Sequence, residues 1–179
     1  MKKCISLLMI LIVVSCNQTD PNSKSKKRDY SINGNWCFLN KSSVYTESFF
    51  SKDFFRVYNQ YLGMSPDFKY YFVDDTLFST FGKGNKVKTQ KSVISWINEN
   101  RVVLRTGTGA DTMDRITKGD FLLGTIDPKI DSLNFVSAFR ERNDNYLIQR
   151  GILTKEEVEA FRKNQIIPED VKEKLKDKK

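Results

Sequence analysis

A succession of short apolar runs that begins at Tyr30 constrains the fold of this chain most strongly. The runs are rich in aromatic and β-branched residues, and turn-forming residues interrupt them about every 8–12 positions. This spacing is typical of an all-β sandwich or barrel. Eight strands are predicted, at 34–40, 43–50, 53–61, 68–73, 76–81, 86–98, 101–106 and 111–117.

Alternation within these runs indicates that one face of the sheet is buried. Trp36 and Phe38 are two residues apart, as are Phe68, Tyr70 and Phe72 in sequence, and side chains at that spacing project from the same face of a strand. Tight connections between successive strands favour an antiparallel meander, and closure into a barrel would remove its exposed edges. We therefore predict a mainly β fold, an antiparallel meander that closes into an eight-stranded barrel.

A short motif at the start of the first predicted strand resembles a family signature. Gly34-Asn35-Trp36 is similar to the G-x-W motif of the lipocalins and of the lipocalin-like domains of bacterial lipoproteins. In that family the Trp lies across the closed end of the barrel, an Arg near the end of the last strand packs over it, and Arg115 stands in the matching position. The resemblance implies a lipocalin-like β-barrel at 30–120, with Trp36 and Arg115 as its structural plug. The family's middle Thr-Asp-Tyr motif is absent, and a different β-sandwich is the alternative.

The pattern changes after Gly119, and residues 121–179 are predicted to form a C-terminal helical appendage. Asp127-Pro128 is typical of a helix start with proline at the first position, and Gly151 is a natural stop. The predicted buried face of this first helix consists of apolar residues at three-residue intervals: Ile130, Leu133, Val136 and Phe139.

A second helix is predicted after Thr154. Thr154 and Glu157 have the spacing of a capping box, in which each side chain accepts a hydrogen bond from the other residue's backbone N–H. Val158, Phe161 and Ile166 would form its apolar side, and Pro168 would begin a third short helix. The appendage either covers one side of the barrel or offers a surface to a protein partner.

Residues 1–15 have the layout of a secretory signal peptide. Lys2 and Lys3 precede an apolar run at 5–14, which is shorter than the about 20 residues of a membrane span. An uncleaved short anchor and a plain signal peptide are the alternatives to the lipoprotein signal described next.

Val13-Val14-Ser15-Cys16 resembles the lipobox of bacterial lipoproteins. The resemblance implies cleavage before Cys16, lipid attachment to its thiol and acylation with a fatty acid such as palmitate. Residues 16–29 would then be a lipidated flexible tether, because 17–29 contain no apolar residue. By analogy with Gram-negative sorting, Asn17 favours a lipid-anchored protein of the outer membrane in the cell envelope, on its periplasmic or surface face.

The composition excludes most catalytic constellations. The chain has no histidine, which removes Ser-His-Asp and Cys-His arrangements and His-ligated metal sites. Cys37 would be the single free thiol after signal cleavage and lipidation, and a buried structural role is expected for it. Glu47 with Asp53 or Asp67 is the nearest approach to a glycosidase pair. We predict that the protein is not an enzyme and has no metal or cofactor.

The formal charge of +8 is spread along the sequence. A nucleic-acid-binding protein concentrates its positive charge on one face or helix, so no nucleic-acid partner is predicted. The predicted partners are the membrane, through Cys16, together with a small lipophilic ligand or a protein partner at the C-terminal helices.

Aromatic residues are frequent in the predicted barrel. Rings that line a barrel mouth bind small apolar ligands, whereas rings that fill a small barrel leave no cavity. The sequence therefore predicts a membrane-anchored envelope lipoprotein with a non-catalytic binding function. The alternative is a structural or protein-inhibitory envelope module with a filled barrel. A cavity on the Phe68, Tyr70 and Phe72 face would distinguish the two, and the sequence assigns no ligand-binding residue.

Overall fold

The computed structural model describes residues 30–82, 86–107, 109–127 and 130–164. The predictions for residues 1–29, which include the signal peptide and Cys16, lie outside these ranges. So do Ile166 and the third helix predicted at Pro168.

The described residues form a closed antiparallel barrel of eight strands with one short extra strand and two C-terminal helices. The strands are β1 (Gly34–Leu39), β2 (Tyr45–Phe50), β3 (Phe54–Asn59), β4 (Gly63–Met64), β5 (Phe68–Val73), β6 (Thr76–Phe81), β7 (Lys88–Asn98), β8 (Arg101–Thr106) and β9 (Gly109–Ile116). The helices are α1 (Ser132–Gln149) and α2 (Lys155–Asn164). The predicted fold class is confirmed.

The sheet follows the chain order and closes on itself. Its strand order is β2-β1-β9-β8-β7-β6-β5-β3-β4, and an additional pairing between β2 and β3 completes the ring. Strand β4 pairs only with the end of β3, so it lies beside the ring of eight. The sequence did not predict β4, because two residues are too few for alternation to be recognised.

The alternating residues of the strands converge in the barrel interior. Trp36 is fully buried there at 0 % exposure. The other buried members of this core are Ile32, Phe50, Phe55, Leu77, Ile94, Val102 and Met113. Burial of such large apolar side chains stabilises a fold by roughly 1.5–3 kcal/mol each.

Aromatic rings fill the middle of the barrel. The Phe55 ring stacks on Phe50 at 5.3 Å between centroids and lies 5.4 Å from Phe68 and 5.9 Å from Phe81. Phe68 and Phe81 contact each other at 4.8 Å. At this level, the four rings therefore pack against one another, with Phe50 and Phe55 buried and Phe68 and Phe81 partly buried.

A second core lies between the outer face of β1–β3 and helix α1. Phe135 and Phe139 of α1 are buried in it, and the ring of Tyr58 lies 4.8 Å and 4.6 Å from theirs. The remaining buried residues are Cys37, Tyr45, Leu123 and Ile126. Strands β1–β3 are therefore covered on both faces, whereas a barrel strand usually has one face in solvent.

The predicted start of the first helix is wrong, and its predicted buried face is only partly correct, since Phe139 is buried and Val136 packs against the same core. The N–H groups of Ile130 and Asp131 donate to the Asp127 carbonyl at 3.1 and 2.8 Å, which forms a turn, and α1 begins only at Ser132. Ile130 and Leu133 are 79 % and 67 % exposed. The buried pair is four residues apart, at Phe135 and Phe139, because a helix repeats every 3.6 residues and the predicted three-residue spacing drifts around it.

The helix ends follow the predictions more closely. Helix α1 ends at Gln149, and Gly151 adopts φ +65° while its N–H donates to the Ile148 carbonyl at 2.9 Å. The capping box of α2 is confirmed. The Thr154 N–H donates to Glu157 Oε2 at 2.7 Å, and the Glu157 N–H donates to Thr154 Oγ1 at 3.1 Å.

The apolar side predicted for α2 is only partly correct. Val158 is buried, but Phe161 is 61 % exposed. In addition, neither helix of the described chain is long and apolar enough to span a membrane.

Candidate functional site

One end of the barrel is closed by the chain segment that precedes β1. The start of β1 and the ends of β2 and β9 meet at this closed end, since Gly34 pairs with Phe50 and Asn35 pairs with Ile116. Residues 30–33 lie across it, because the Trp36 Nε1–H donates to the Ile32 carbonyl at 2.6 Å.

Arg115 holds this segment in place. Its guanidinium donates to the carbonyls of Ser31 at 2.5 Å, Asn33 at 2.7 Å and Glu99 at 3.0 Å. The same group lies 4.2 Å from the centroid of the Trp36 ring. Partial burial lowers the pKa of Arg115 from its usual value. The structure thus places Arg115 over Trp36, with its donors engaged by backbone carbonyls.

Steric constraints explain why the first residue of the Gly34-Asn35-Trp36 motif is a glycine. Gly34 adopts φ +122°, and a Cβ at this position would lie 2.9 Å from Nη1 of Arg115. Any other residue would be strained at that φ and would displace the guanidinium. Asn35 contributes separately, because its Oδ1 accepts a hydrogen bond from the Gly124 N–H at 2.9 Å.

An aromatic cleft of about 1070 Å³ opens beside the closed end. The rings of Tyr30 and Trp96 lie 5.5 Å apart on one side of it, and those of Tyr70 and Phe72 lie 5.7 Å apart on the other. The remaining lining residues are Ser31, Ile32, Asn33, Lys52, Tyr71, Asp74, Asp75, Ile94 and Ser95. Its wall therefore combines apolar rings with charged groups.

Tyr70 connects the aromatic cleft to the filled interior. Its ring makes an edge contact with Phe50 at 5.5 Å, and its hydroxyl donates to the Ser51 carbonyl. Burial raises the pKa of Tyr70. The Phe68, Tyr70 and Phe72 face is thus divided, since Phe68 packs inside the barrel while Tyr70 and Phe72 line the cleft. The sequence singled out this face but did not identify Tyr30 and Trp96 as part of it.

A buried ion pair fastens α1 to the barrel. The Glu47 side chain is 1 % exposed and accepts hydrogen bonds from Arg142 Nε at 2.8 Å and Nη2 at 3.0 Å. The Tyr45 hydroxyl donates to the same carboxylate at 2.9 Å. Arg142 Nη1 donates to the Asp120 carbonyl at 2.9 Å. One arginine thereby joins β2, α1 and the connection between β9 and α1.

The carboxylates considered as a glycosidase pair, Glu47 with Asp53 or Asp67, can now be placed in the structure. Glu47 is bonded to Arg142, and Asp67 forms its own ion pair with Arg56 at 2.8 Å. Glu47 and Asp67 are therefore each bonded to a different arginine, whereas no arginine bonds Asp53 among the described residues. Within the described part of the chain, no group of three or more His, Cys, Asp or Glu residues is placed to hold a metal ion.

Cys37 lies in the core beneath α1, where burial raises the pKa of its thiol from 9.0 to about 12. Thiolates are the reactive form of cysteine. We therefore expect residues 17–179, in which Cys37 is the single cysteine, to resist iodoacetamide at pH 8 until the protein is denatured.

The raised pKa of Cys37 also makes the stability of the protein depend on pH. An unfolded thiol loses its proton above about pH 9, whereas the folded one keeps it to about pH 12. Stability from this group is therefore lost as pH rises from 9 to 12.

Mass spectrometry after timed alkylation checks the labelling, and urea titrations at pH 8 and pH 10.5 check the stability. Cys37→Ala is the control, because it should show a smaller alkaline loss than the parent chain. Fast labelling of the folded protein would contradict the buried position of the thiol.

The chain matches no protein-family model, no curated protein and no solved structure. The class that can be stated is therefore architectural: a closed eight-stranded antiparallel β-barrel with two C-terminal helices.

Proposed function

We propose that this protein is a lipid-anchored lipoprotein of the cell envelope that binds a small amphipathic ligand in the aromatic cleft without transforming it. The observation that carries the binding function is the cleft itself, with its about 1070 Å³ and its walls of aromatic rings. Ligand sites in proteins are concave, of about 300–1,000 Å³, and mostly apolar with a few polar groups that orient the ligand.

The lining indicates the chemistry of the ligand. Tyr30, Phe72 and Trp96 offer ring faces to an apolar chain or ring system. Lys52, Asp74 and Asp75 also line the cleft, so polar groups of the ligand would be held there. An amphipathic molecule suits both parts.

The sequence before the barrel supports a position close to a membrane. The predicted tether joins the barrel at Tyr30, which is itself a lining residue of the aromatic cleft. A flexible spacer of 13 residues, 17–29, has a mean end-to-end distance of roughly 20 Å. A lipid on Cys16 would keep the cleft within about that distance of the bilayer, where lipophilic ligands concentrate.

The anchor is tested by replacing the proposed attachment site. Cys16→Ser should abolish metabolic labelling with an alkynyl palmitate analogue and release the protein from the membrane fraction, because the thiol that accepts the lipid is gone. Two or more acyl chains are needed for firm anchoring. Cys37→Ser is the matched control and should leave labelling unchanged. An unaltered membrane fraction after Cys16→Ser would refute the lipid anchor.

Ligand binding is tested on residues 17–179, which lack the lipid site. N-phenyl-1-naphthylamine, a neutral lipophilic probe, should gain fluorescence on binding, and native mass spectrometry should find small molecules retained from the cell. Phe72→Ala should weaken probe binding about two- to tenfold, since an aromatic contact contributes about 0.5–1.5 kcal/mol. Tyr61→Ala, at an exposed ring outside the cleft, is the control. Equal binding by parent and Phe72→Ala would contradict the assignment.

A second candidate is a structural or protein-inhibitory envelope module. It is favoured by the rings that fill the middle of the barrel, Phe50, Phe55, Phe68 and Phe81. The exposed Leu133 of α1 would then belong to a protein contact. Absence of any bound small molecule, together with loss of a co-purifying protein in Leu133→Asp, would select this candidate over a ligand carrier.

A further inference from the structure

A second, basic cleft of about 630 Å³ lies outside the barrel, between β9 and the C-terminal half of α1. Five of its lining residues are cations: Arg101, Arg115, Lys118, Arg142 and Arg150. One carboxylate, Asp114, belongs to the same wall. The amides of Asn100, Asn145 and Gln149 complete its polar lining.

The positive charge of this basic cleft is only partly compensated. Asp114 is shared by two guanidinium groups, since Arg101 Nε and Arg150 Nη2 each lie 2.5 Å from its oxygens. Glu47 neutralises Arg142, and Glu99 lies close enough to act on Arg115. Five cations against three carboxylates leave two positive charges in excess.

Several hydrogen-bond donors of the cleft are also free to bind a ligand. Arg101 bonds Asp114 through Nε, and its two terminal nitrogens have no partner among the described residues. Arg150 uses Nη2 for both Asp114 and Tyr146, and its Nε and Nη1 donate to no residue in the described part of the chain. Lys118 is exposed, and no hydrogen bond or ion pair holds it within the described ranges.

The two arginines among these donors are held in position before any ligand binds. Asp114 fixes the guanidinium groups of Arg101 and Arg150 side by side, and Arg150 also lies over the Tyr146 ring at 5.1 Å. A planar guanidinium presents its N–H groups in a fork that matches the oxygens of a phosphate, and lysine adds a point charge. Arg101 and Arg150 therefore have little side-chain freedom left to lose on binding.

We propose that the basic cleft binds a phosphate group. Two excess positive charges match a phosphate monoester dianion, and the guanidinium forks match its oxygens. The phosphate belongs either to a soluble metabolite or to the head group of a membrane lipid. The two clefts have no lining residue in common, so the phosphate proposal does not depend on the proposed function.

The test uses the full chain, purified in a neutral detergent. Isothermal titration with sn-glycerol 3-phosphate examines the soluble source. Micelles doped with dioleoylphosphatidic acid examine the lipid source. Glycerol and micelles doped with dioleoylglycerol are the matched uncharged controls. Only the probes that carry a phosphate are expected to give heat of binding. Added KCl should weaken their binding, because screened charges contribute less to the affinity.

The variant Arg101→Gln/Lys118→Gln should lower the affinity at least tenfold. Asp114 keeps Arg150 as a partner in this variant, and both replaced side chains are partly or fully exposed, so the fold should persist. Lys88→Gln/Lys91→Gln on β7 removes the same charge away from the cleft and should change nothing. Should the double variant fail to fold, Lys118→Gln alone is still expected to weaken binding severalfold.

Each outcome decides the proposal. Binding of sn-glycerol 3-phosphate assigns a soluble phosphate ligand, and binding of phosphatidic acid alone assigns a lipid head group. Absence of binding of both phosphate probes, with no heat at either of two temperatures, overturns the proposal. Equal affinities of the parent and the Arg101→Gln/Lys118→Gln chain also overturn it, because the phosphate would then bind elsewhere. Weaker binding of N-phenyl-1-naphthylamine by Phe72→Ala tests the aromatic cleft alone and has no bearing on phosphate binding.

Discussion

Trp36→Ala is expected to lower the free energy of unfolding by about 3–5 kcal/mol, as truncations of large buried aromatic residues do. The side chain is fully buried, and its indole N–H donates to the Ile32 carbonyl at 2.6 Å. The substitution would therefore leave a cavity, remove the partner of the segment across the closed end and deprive Arg115 of its aromatic contact. Urea unfolding followed by circular dichroism measures the loss.

The role of Arg115 is separated from that of Trp36 by a double-mutant cycle with Trp36→Phe and Arg115→Gln. Coupling between them is expected, because the guanidinium lies over the indole and cation–π contacts contribute about 0.5–2 kcal/mol. Val93→Ala, at an exposed β7 position, should change little. A loss below about 1 kcal/mol for Trp36→Ala would contradict its function as the plug of the closed end.

Arg142→Met is expected to be similarly damaging, at about 3–5 kcal/mol, because it removes the cationic partner of a buried carboxylate. Glu47 is 1 % exposed and would keep only its bond from the Tyr45 hydroxyl in this variant. Chemical unfolding of the parent chain and of Arg142→Met at the same pH measures the difference between their free energies of unfolding. Helix α1 should detach first, since the Arg142 bonds join it to β2.

The matched control replaces both charged residues of the Glu47–Arg142 ion pair. Glu47→Gln/Arg142→Met should recover much of the loss, because a buried ion pair replaced by uncharged groups is often close to neutral in stability. Arg56→Met, which breaks a pair with the half-exposed Asp67, should cost no more than about 1 kcal/mol. An equal cost for Arg142→Met and Arg56→Met would show that burial of Glu47 has no energetic consequence.

The strands and the capping box were predictable because their signals are local. Alternation within six to eleven residues marks a strand, and the Thr154–Glu157 spacing marks a helix start directly. The start of α1 was not predictable from the sequence, because the turn at Asp127 resembles a helix cap. The apolar Ile130 and Leu133 then diverted the predicted face from Phe135.

The candidate sites were less accessible to sequence reasoning. The Trp36–Arg115 pair came from a family resemblance and not from periodicity. Glu47 and Arg142 are 95 positions apart, and no local pattern marks a charged residue as the partner of another at that distance. Tyr30 and Trp96 meet only because the segment before β1 crosses the closed end. Their proximity is a property of topology.

The double burial of β1–β3 has a consequence for the order in which the molecule is made. Ribosomes release the strands before α1, so a nascent chain that ends after β9 carries Tyr45, Tyr58 and Cys37 on a surface with no cover. Such transient apolar surfaces are where growing chains aggregate. Truncations before α1 should therefore accumulate as insoluble material.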